Sequence, residues 1–375
     1  MQWGDLFEAA DILKELLAKF PDESELRIML SEIYTELDQD EAAIDELNQI
    51  GTDDDSYVQA LLQLADLYQA QGLYEVAEQK LLTAKHLQPS EMVIDFALAE
   101  LYYSIGEYNH AITYYERLDT KEEIAHVSIM ERLAESYAAA GKYEEALQFY
   151  KEAKSKNPDV LFKYGVTAQQ AKRSDIAIHT WEEVLKIDPY YHTVYYPLAK
   201  AYEAEELLEK AYTTAKKGIE VDEFNKELYY YTARLAEKMG NDQESEKWVK
   251  KAISLDADYK EAVLFLIALL KKNDDAQKII DLIHEIQQSG AEDPSYDWEI
   301  GRAYYEIEAY DDALKHYQRA YINLKDDSEF LKEYGYFLSE EGRKKEAIQV
   351  FTAYLNIVPT DIETQEYMMR LQQVE

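Results

Sequence analysis

Three stretches of this chain, "LADLYQAQGLYEVAEQKLLTAKHLQP", "LAELYYSIGEYNHAITYYERL" and "LAESYAAAGKYEEALQFYKEAKSKNP", carry one pattern in one register. Leu-Ala is followed by Tyr three residues on, then Gly after four more, Tyr after two, Ala after three, and an apolar or aromatic residue after four. The frame extends over the chain, with units starting at Ser24, Val58, Met92, Val127, Pro158, His192, Lys226, Lys260, Pro294 and Ser328. Successive starts are 34, 34, 35 and 31 residues apart, then 34 throughout. A length of 375 residues would suit two or three compact domains, but a recurring unit of this size fills it with one supersecondary element.

Composition agrees with helices. Glycine (12) and proline (7) are scarce, so there are few breakers for a fold of many short strands. Five of the twelve glycines fall at position 15 of the unit (Gly72, Gly106, Gly141, Gly240, Gly342), and Pro89, Pro158, Pro189 and Pro359 fall at position 32. No glycine-rich loop is left over to cradle a phosphate. With 76 acidic and 39 basic residues the net charge is -37, a field that repels nucleic acid and anionic lipid and attracts basic proteins. Cysteine is absent, which removes disulfides and thiolate chemistry. No run approaches the length of a membrane span, and the start "MQWGDLFEAADILKELLAKF" is acidic and amphipathic rather than a signal peptide, so the chain is expected to be cytoplasmic.

The unit resembles the tetratricopeptide repeat (TPR), a pair of antiparallel helices with small residues where they cross. Position 8 holds Ala65, Ala99, Ala134, Gly165, Ala199, Ala233, Gly301 and Gly335, and position 20 holds alanine from Ala43 to Ala347 in eight units. The resemblance implies an all-α, right-handed superhelical solenoid of helix pairs. Residues 1–23 then form the second helix of an incomplete repeat, 24–361 ten repeats, and 362–375 a capping helix. Because the chain opens partway through a repeat, the native protein is expected to extend upstream. The unit from Lys260 replaces both small crossings with Ile267 and Ile279, where larger side chains push helices apart, and is the expected hinge.

A search for chemistry returns little. The seven histidines never pair at i, i+4, and the acidic runs lack the spacing of a calcium loop. No catalytic constellation, cofactor site or metal site is expected, and the repeats leave no residues for a catalytic domain.

What remains is surface. In the family, the first helix of each pair lines the concave groove through positions 2, 5, 9, 12 and 13. Here position 9 reads Glu32, Asp66, Glu100 and Glu135, then changes sign to Lys200, Arg234 and Arg302. Four carboxylates on helices ~10 Å apart repel within a screening length of ~8 Å. Beside the cations stand Phe162, Tyr196, Tyr230, Trp298 and Tyr305, a combination suited to a partner segment bearing acidic and apolar side chains. Glu203, Glu237 and Glu306 lie at helical spacing from the three cations and compete to neutralise them. In "DPYYHTVYYPLAKAY", Tyr195 and Tyr202 fall at core positions and Pro197 requires a helix beginning near Thr193 to Tyr195, which leaves Tyr196 for the groove.

The expected function is a non-catalytic scaffold or adaptor that binds a protein or peptide, including a basic surface of an assembly such as RNA polymerase or the ribosome, without direct nucleic-acid or membrane contact. A peptide-sensing regulator whose effector domain lies outside this chain is the alternative. The asparagines that such regulators use to hold peptide backbone avoid the five groove positions here, as does the asparagine of the family's chaperone-tail clamp at position 9.

Overall fold

The computed structural model describes residues 3–120, 123, 124 and 126–373. The extreme ends of the leading and capping segments, residues 1, 2, 374 and 375, lie outside the described residues. The chain forms two compact units, Met1–Val194 and Tyr195–Glu375. The first unit contains α1 (Trp3–Lys19), α2 (Ser24–Glu36), α3 (Asp40–Leu47), α4 (Tyr57–Ala70), α5 (Tyr74–Leu87), α6 (Met92–Ser104), α7 (Tyr108–Tyr115), α8 (Ile129–Ala139), α9 (Tyr143–Ala153), α10 (Pro158–Gln170) and α11 (Ser174–Ile187). A two-residue strand pair, β1 (Glu123–Ile124) and β2 (Val127–Ser128), precedes α8, and a 3₁₀ turn, His192–Val194, ends the unit. The second unit contains α12 (Tyr195–Ala204), α13 (Leu208–Val221), α14 (Lys226–Lys238), α15 (Asp242–Leu255), α16 (Lys260–Lys272), α17 (Ala276–Gln288), α18 (Pro294–Glu306), α19 (Tyr310–Leu324), α20 (Ser328–Glu340), α21 (Lys344–Ile357) and α22 (Ile362–Gln373). Each unit is an all-α stack of helix hairpins, and among the described residues no helix is long and apolar enough to cross a membrane.

Local chemistry sets where helices start and stop. Asn157, Asn225, Asp293 and Asp327 accept backbone N–H bonds at the starts of α10, α14, α18 and α20. Pro158 and Pro294 occupy the first turn, where a missing N–H costs nothing. Pro197 sits in the first turn of α12 for the same reason, so that helix begins at Tyr195.

The turn inside each hairpin is closed by one recurring bond. The N–H of the residue after the turn donates back to a carbonyl five residues earlier, as in Leu73 to Tyr68, Leu207 to Tyr202 and Arg343 to Leu338, each at 2.8 or 2.9 Å. This geometry requires a left-handed residue between them. Five of the ten turns supply glycine, but Asp38, Lys172, Glu206, Asp274 and Glu308 adopt φ of 55° to 61° at the equivalent place. A side chain in that region costs ~1 to 2 kcal/mol, partly offset in a comparison with glycine by the entropy glycine loses on folding. Glu206→Gly is therefore expected to stabilise by up to ~1 kcal/mol, read as a higher urea midpoint at unchanged slope.

Helices α3 and α7 have eight residues each, where the comparable helices of other hairpins run to 11 or more. The sequences that follow, "NQIGTDDDS" and "ERLDTKEE", do not continue the helical apolar pattern, and Ile50 and Leu118 are buried in the place of the missing turns. At the helix crossings, alanine is fully buried in most hairpins, while Gly165, Gly301 and Gly335 lie directly under Trp181, Tyr317 and Phe351. Ile267 and Ile279 are buried in the hairpin of α16 and α17, whose helices approach less closely than those of the other hairpins.

Bonds from tyrosine hydroxyls to carboxylates tie helices together throughout, most of them between neighbouring hairpins and one, Tyr115 to Glu100, within a hairpin. Tyr102 donates to Glu78 (2.5 Å), Tyr115 to Glu100 (2.5 Å) and Tyr137 to Glu116 (2.6 Å) in the first unit. Tyr231 donates to Glu203 (2.6 Å), Tyr317 to Glu333 (2.7 Å) and Tyr354 to Asp361 (2.6 Å) in the second. Such short bonds to an ionised acceptor are about twice as strong as neutral ones. They show how a chain with 33 tyrosines and 76 acids holds both.

Candidate binding faces

The four acids of the first unit do not form one repelling row. Arg132 lies 2.9 Å from both Glu100 and Glu135, and Lys163 reaches Glu135 at 2.5 Å. Glu135 is buried among these contacts, and Tyr115 completes the shell of Glu100. The mutual repulsion expected of four stacked carboxylates is thus cancelled in half of the row. Both cations stand at position 6 of their units, one residue outside the positions read for the groove, and that spacing is the signal the sequence held.

Glu32 and Asp66 differ from this pair. Glu32 is exposed and accepts a bond from Gln63 (2.8 Å). Asp66 has no ion pair among the described residues, and although its side chain reaches solvent, the surrounding protein desolvates it and raises its carboxyl above the ordinary value. Together with Glu36 and Asp40 they line a cavity of about 360 Å³.

The aromatic and basic residues also divide. Phe162 belongs to the first unit, where its ring packs near Trp181 (6.5 Å) and Tyr191 (5.6 Å). In the second unit Arg302 is consumed: it lies over the Trp298 ring at 4.1 Å and forms ion pairs with Glu299 and Glu333. Trp298 Nε1 and Tyr317 donate to the same Glu333. Burial works to raise the Glu333 carboxyl, but the bonds from Arg302 and Tyr317 outweigh it and hold it below the ordinary value. Tyr305 donates to Glu340 (2.6 Å), and this bond, with some desolvation, pushes its hydroxyl up to about 12. Arg302, Tyr305, Glu333 and Glu340 surround a cavity of about 420 Å³.

Lys200 and Arg234 remain open. Both are exposed, and neither forms an ion pair among the described residues. The neutralising pairs expected from helical spacing do not form. Glu203 is taken by Lys238 (2.5 Å) and Tyr231 instead of Lys200, and Arg302 is held by Glu299 and Glu333 rather than Glu306. Glu237 makes no ion pair with Arg234. Lys200 lies over the half-exposed ring of Tyr196 (5.3 Å), and Tyr196 meets Tyr231 edge-on at 5.0 Å. Tyr230 is half-buried against Tyr259 (5.3 Å) and Phe265 (5.6 Å). The structure therefore sets Tyr196, Lys200, Tyr230 and Arg234 on adjacent first helices, α12 and α14, as an aromatic surface with two uncommitted cations.

Among the described residues no group of three or more His, Cys, Asp or Glu converges to hold a metal. His316 is bonded to Asp297 (2.8 Å) and stacked on Tyr304, which is a packing arrangement.

Comparison with known proteins accords with this architecture. Residues 294–361 match the family described as YpiA-like, C-terminal tetratricopeptide repeats, and residues 69–123 match YpiA-like, tetratricopeptide repeats. Further tetratricopeptide repeat matches cover residues 1–64, 129–161 and 227–259. TPR repeat-containing protein YpiA of Bacillus subtilis (strain 168) is 41% identical over 374 residues, covering 99% of this chain and 88% of that protein. Among solved structures, the C-terminal part of a TPR repeat-containing protein from Cytophaga hutchinsonii is 14% identical with a TM-score of 0.49, covering 72% of this chain and 98% of that one. A tetratricopeptide repeat protein from Parabacteroides merdae is 17% identical with a TM-score of 0.45, covering 66% and 98%. With its hairpin stacks, small helix crossings and a relative of this similarity along nearly its whole length, the chain belongs to the YpiA-like tetratricopeptide repeat proteins.

Proposed function

We propose that this protein is a cytoplasmic, non-catalytic scaffold that holds an acidic, apolar segment of a partner protein against α12 and α14. Tetratricopeptide repeat proteins are in general protein-interaction scaffolds. The observation that carries the finer reading is the pair of exposed cations without ion pairs, Lys200 and Arg234, beside Tyr196 and Tyr230 in a chain of net charge -37. Nearly twice as many acids as bases are present, yet among the described residues none forms an ion pair with either cation; Glu203 acts on Arg234 only through space, its own bonds going to Lys238 and Tyr231, so a partner's carboxylates would meet both cations without first breaking an internal pair. The rings supply contact area at low entropic cost, and the cations supply register and encounter rate.

Residues 298–305 play a different part in this reading. Trp298, Arg302 and Tyr305 are already bonded to Glu333 and Glu340, so they shape the unit, and their substitution would confound binding with stability. The informative variant is Lys200→Ala with Tyr230→Ala and Arg234→Ala. It is expected to lose at least about tenfold in partner affinity at unchanged far-ultraviolet circular dichroism. Glu32→Gln with Asp66→Asn serves as the control and should keep the partner. Retention of partner by the triple variant would remove α12 and α14 from the binding face.

A basic partner surface is a second reading for the first unit. Glu32 and Asp66 carry it, since neither has an ion pair among the described residues and the cavity they line is acidic on several sides.

A further inference from the structure

The step of 31 residues between Val127 and Pro158 leaves its mark on the face made by the second helices. Helix α9 stops at Ala153 and Lys154 turns left-handed at φ 49°, so α10 begins sooner than in the other hairpins. A cleft of about 970 Å³ lies here, the most voluminous of the cavities described above, with walls from α9, the connection to α10, α10 and α11. Its floor is apolar: Tyr150 and Tyr164 stack at 5.2 Å, and Leu161, Ile176 and Ile187 lie beside them.

Its rim is basic. Lys151, Lys154, Lys156, Arg173 and Lys186 line the cleft against two acids, Asp175 and Glu183. Arg173 bonds Asp175 and His179 lies 3.6 Å from Glu183, both at exposed places where a pair contributes ~0 to 1 kcal/mol. The four lysines form no ion pair among the described residues. Residues 150–187 hold seven basic and five acidic side chains, while the chain as a whole is at -37.

We infer that this cleft is a second binding site, on the second-helix face of the first unit, for an acidic linear segment of another protein that inserts an aliphatic or aromatic side chain between the lysines. A concave apolar floor ringed by unpaired cations suits a ligand that presents both chemistries. Lysines act as separate point charges and suit carboxylates spaced along a peptide, whereas bidentate phosphate recognition favours arginine, and the one arginine here already has a partner. A second copy of this chain would bring another -37, which works against self-association. Nucleic acid meets the same repulsion beyond the few residues of the rim.

The test uses a short fluorescent peptide of alternating Glu and Leu, titrated by anisotropy against the full chain carrying Lys200→Ala, Tyr230→Ala and Arg234→Ala. That background removes the α12 and α14 face, so this experiment and the proposal for that face fail separately. Binding is expected, with at least about tenfold loss on Lys154→Glu with Lys156→Glu, and a further loss on Ile187→Ser, all at exposed positions where folding is unaffected. A steep fall with added salt is expected as well. Undiminished binding by the double lysine variant would overturn the inference. So would tighter binding of an oligothymidylate of equal charge, or self-association in sedimentation that the same lysine variant abolishes.

Discussion

Gly165→Ala is expected to destabilise the first unit by ~1 to 3 kcal/mol, whereas Gly301→Ala in the second should be close to neutral. Both glycines occupy the same place in their hairpins, so the contrast isolates steric fit. At Gly165 an added Cβ would lie 2.2 Å from Trp181 Nε1 and 2.6 Å from two further ring atoms. The Trp181 ring is fully buried, and its Nε1 donates to the Phe162 carbonyl oxygen at 3.3 Å. Retreat of the ring would break that bond and open a void elsewhere. At Gly301 the nearest atom of Tyr317 stands at 3.3 Å, a distance that a shift of tenths of an ångström relieves, and alanine gains up to ~1 kcal/mol in helix propensity over glycine. Because stacked repeats lean mainly on their neighbours, the loss at Gly165 should concentrate in residues 158–187 and appear as faster hydrogen exchange there. Equal urea midpoints for the two variants would show that the ring over Gly165 is not fixed.

A second large effect is alkaline unfolding between about pH 10 and 11. Tyr115, Tyr150, Tyr231, Tyr296, Tyr317 and Tyr334 are buried, and desolvation raises the hydroxyl of each above its ordinary value, to about 12 for Tyr296 and Tyr334. Bonds to Glu100, Glu203 and Glu333 add to the shift at Tyr115, Tyr231 and Tyr317, because a phenolate there would face a carboxylate. The folded state thus favours the neutral phenol. Its contribution is complete below the unfolded value near 10 and is lost as pH rises toward the folded values. At pH 11 each such group forfeits ~1.4 kcal/mol, which makes ~3 kcal/mol for the two in the first unit and ~6 kcal/mol for the four in the second, the latter comparable to the ~5 to 15 kcal/mol that holds a domain. Ionisation of the buried tyrosines and loss of helix should rise together, steeply in the second unit, which holds four of the six. Gradual tyrosine ionisation with helix intact above pH 12 would contradict the burial and bonding described.

The helical architecture was legible because its causes are local and periodic. Small residues at the crossings, turn glycines and the apolar spacing recur in each unit, and helices start at Ser24, Met92, Pro158, Lys226, Lys260, Pro294 and Ser328, where residue one of a unit stands. Departures came where the chain uses another residue for the same geometry or stops early. Lys172 and Glu206 turn left-handed without glycine, and α3 and α7 end after two turns because the residues that follow carry no helical apolar pattern.

The candidate faces were harder to read because side-chain partners come from other helices. Arg302 finds Glu333, 31 residues away, in preference to Glu306 four residues away, and Glu203 finds Lys238 at a distance of 35 residues. Intrahelical spacing describes which side chains can reach each other along one helix. It says nothing of the stronger acceptor that the next hairpin presents. Arg132 and Lys163 were legible in principle, since both follow one residue after the groove position, and their partners Glu100 and Glu135 were already singled out.

Partner capture by the wild-type chain and by the Lys200→Ala, Tyr230→Ala, Arg234→Ala variant, side by side at low and high salt, decides whether α12 and α14 hold the partner through charge and aromatic contact. A partner is expected to be retained by the wild type at low salt, weakened at high salt, and lost by the variant at both. A partner held equally by the two proteins, or indifferent to salt, would contradict it.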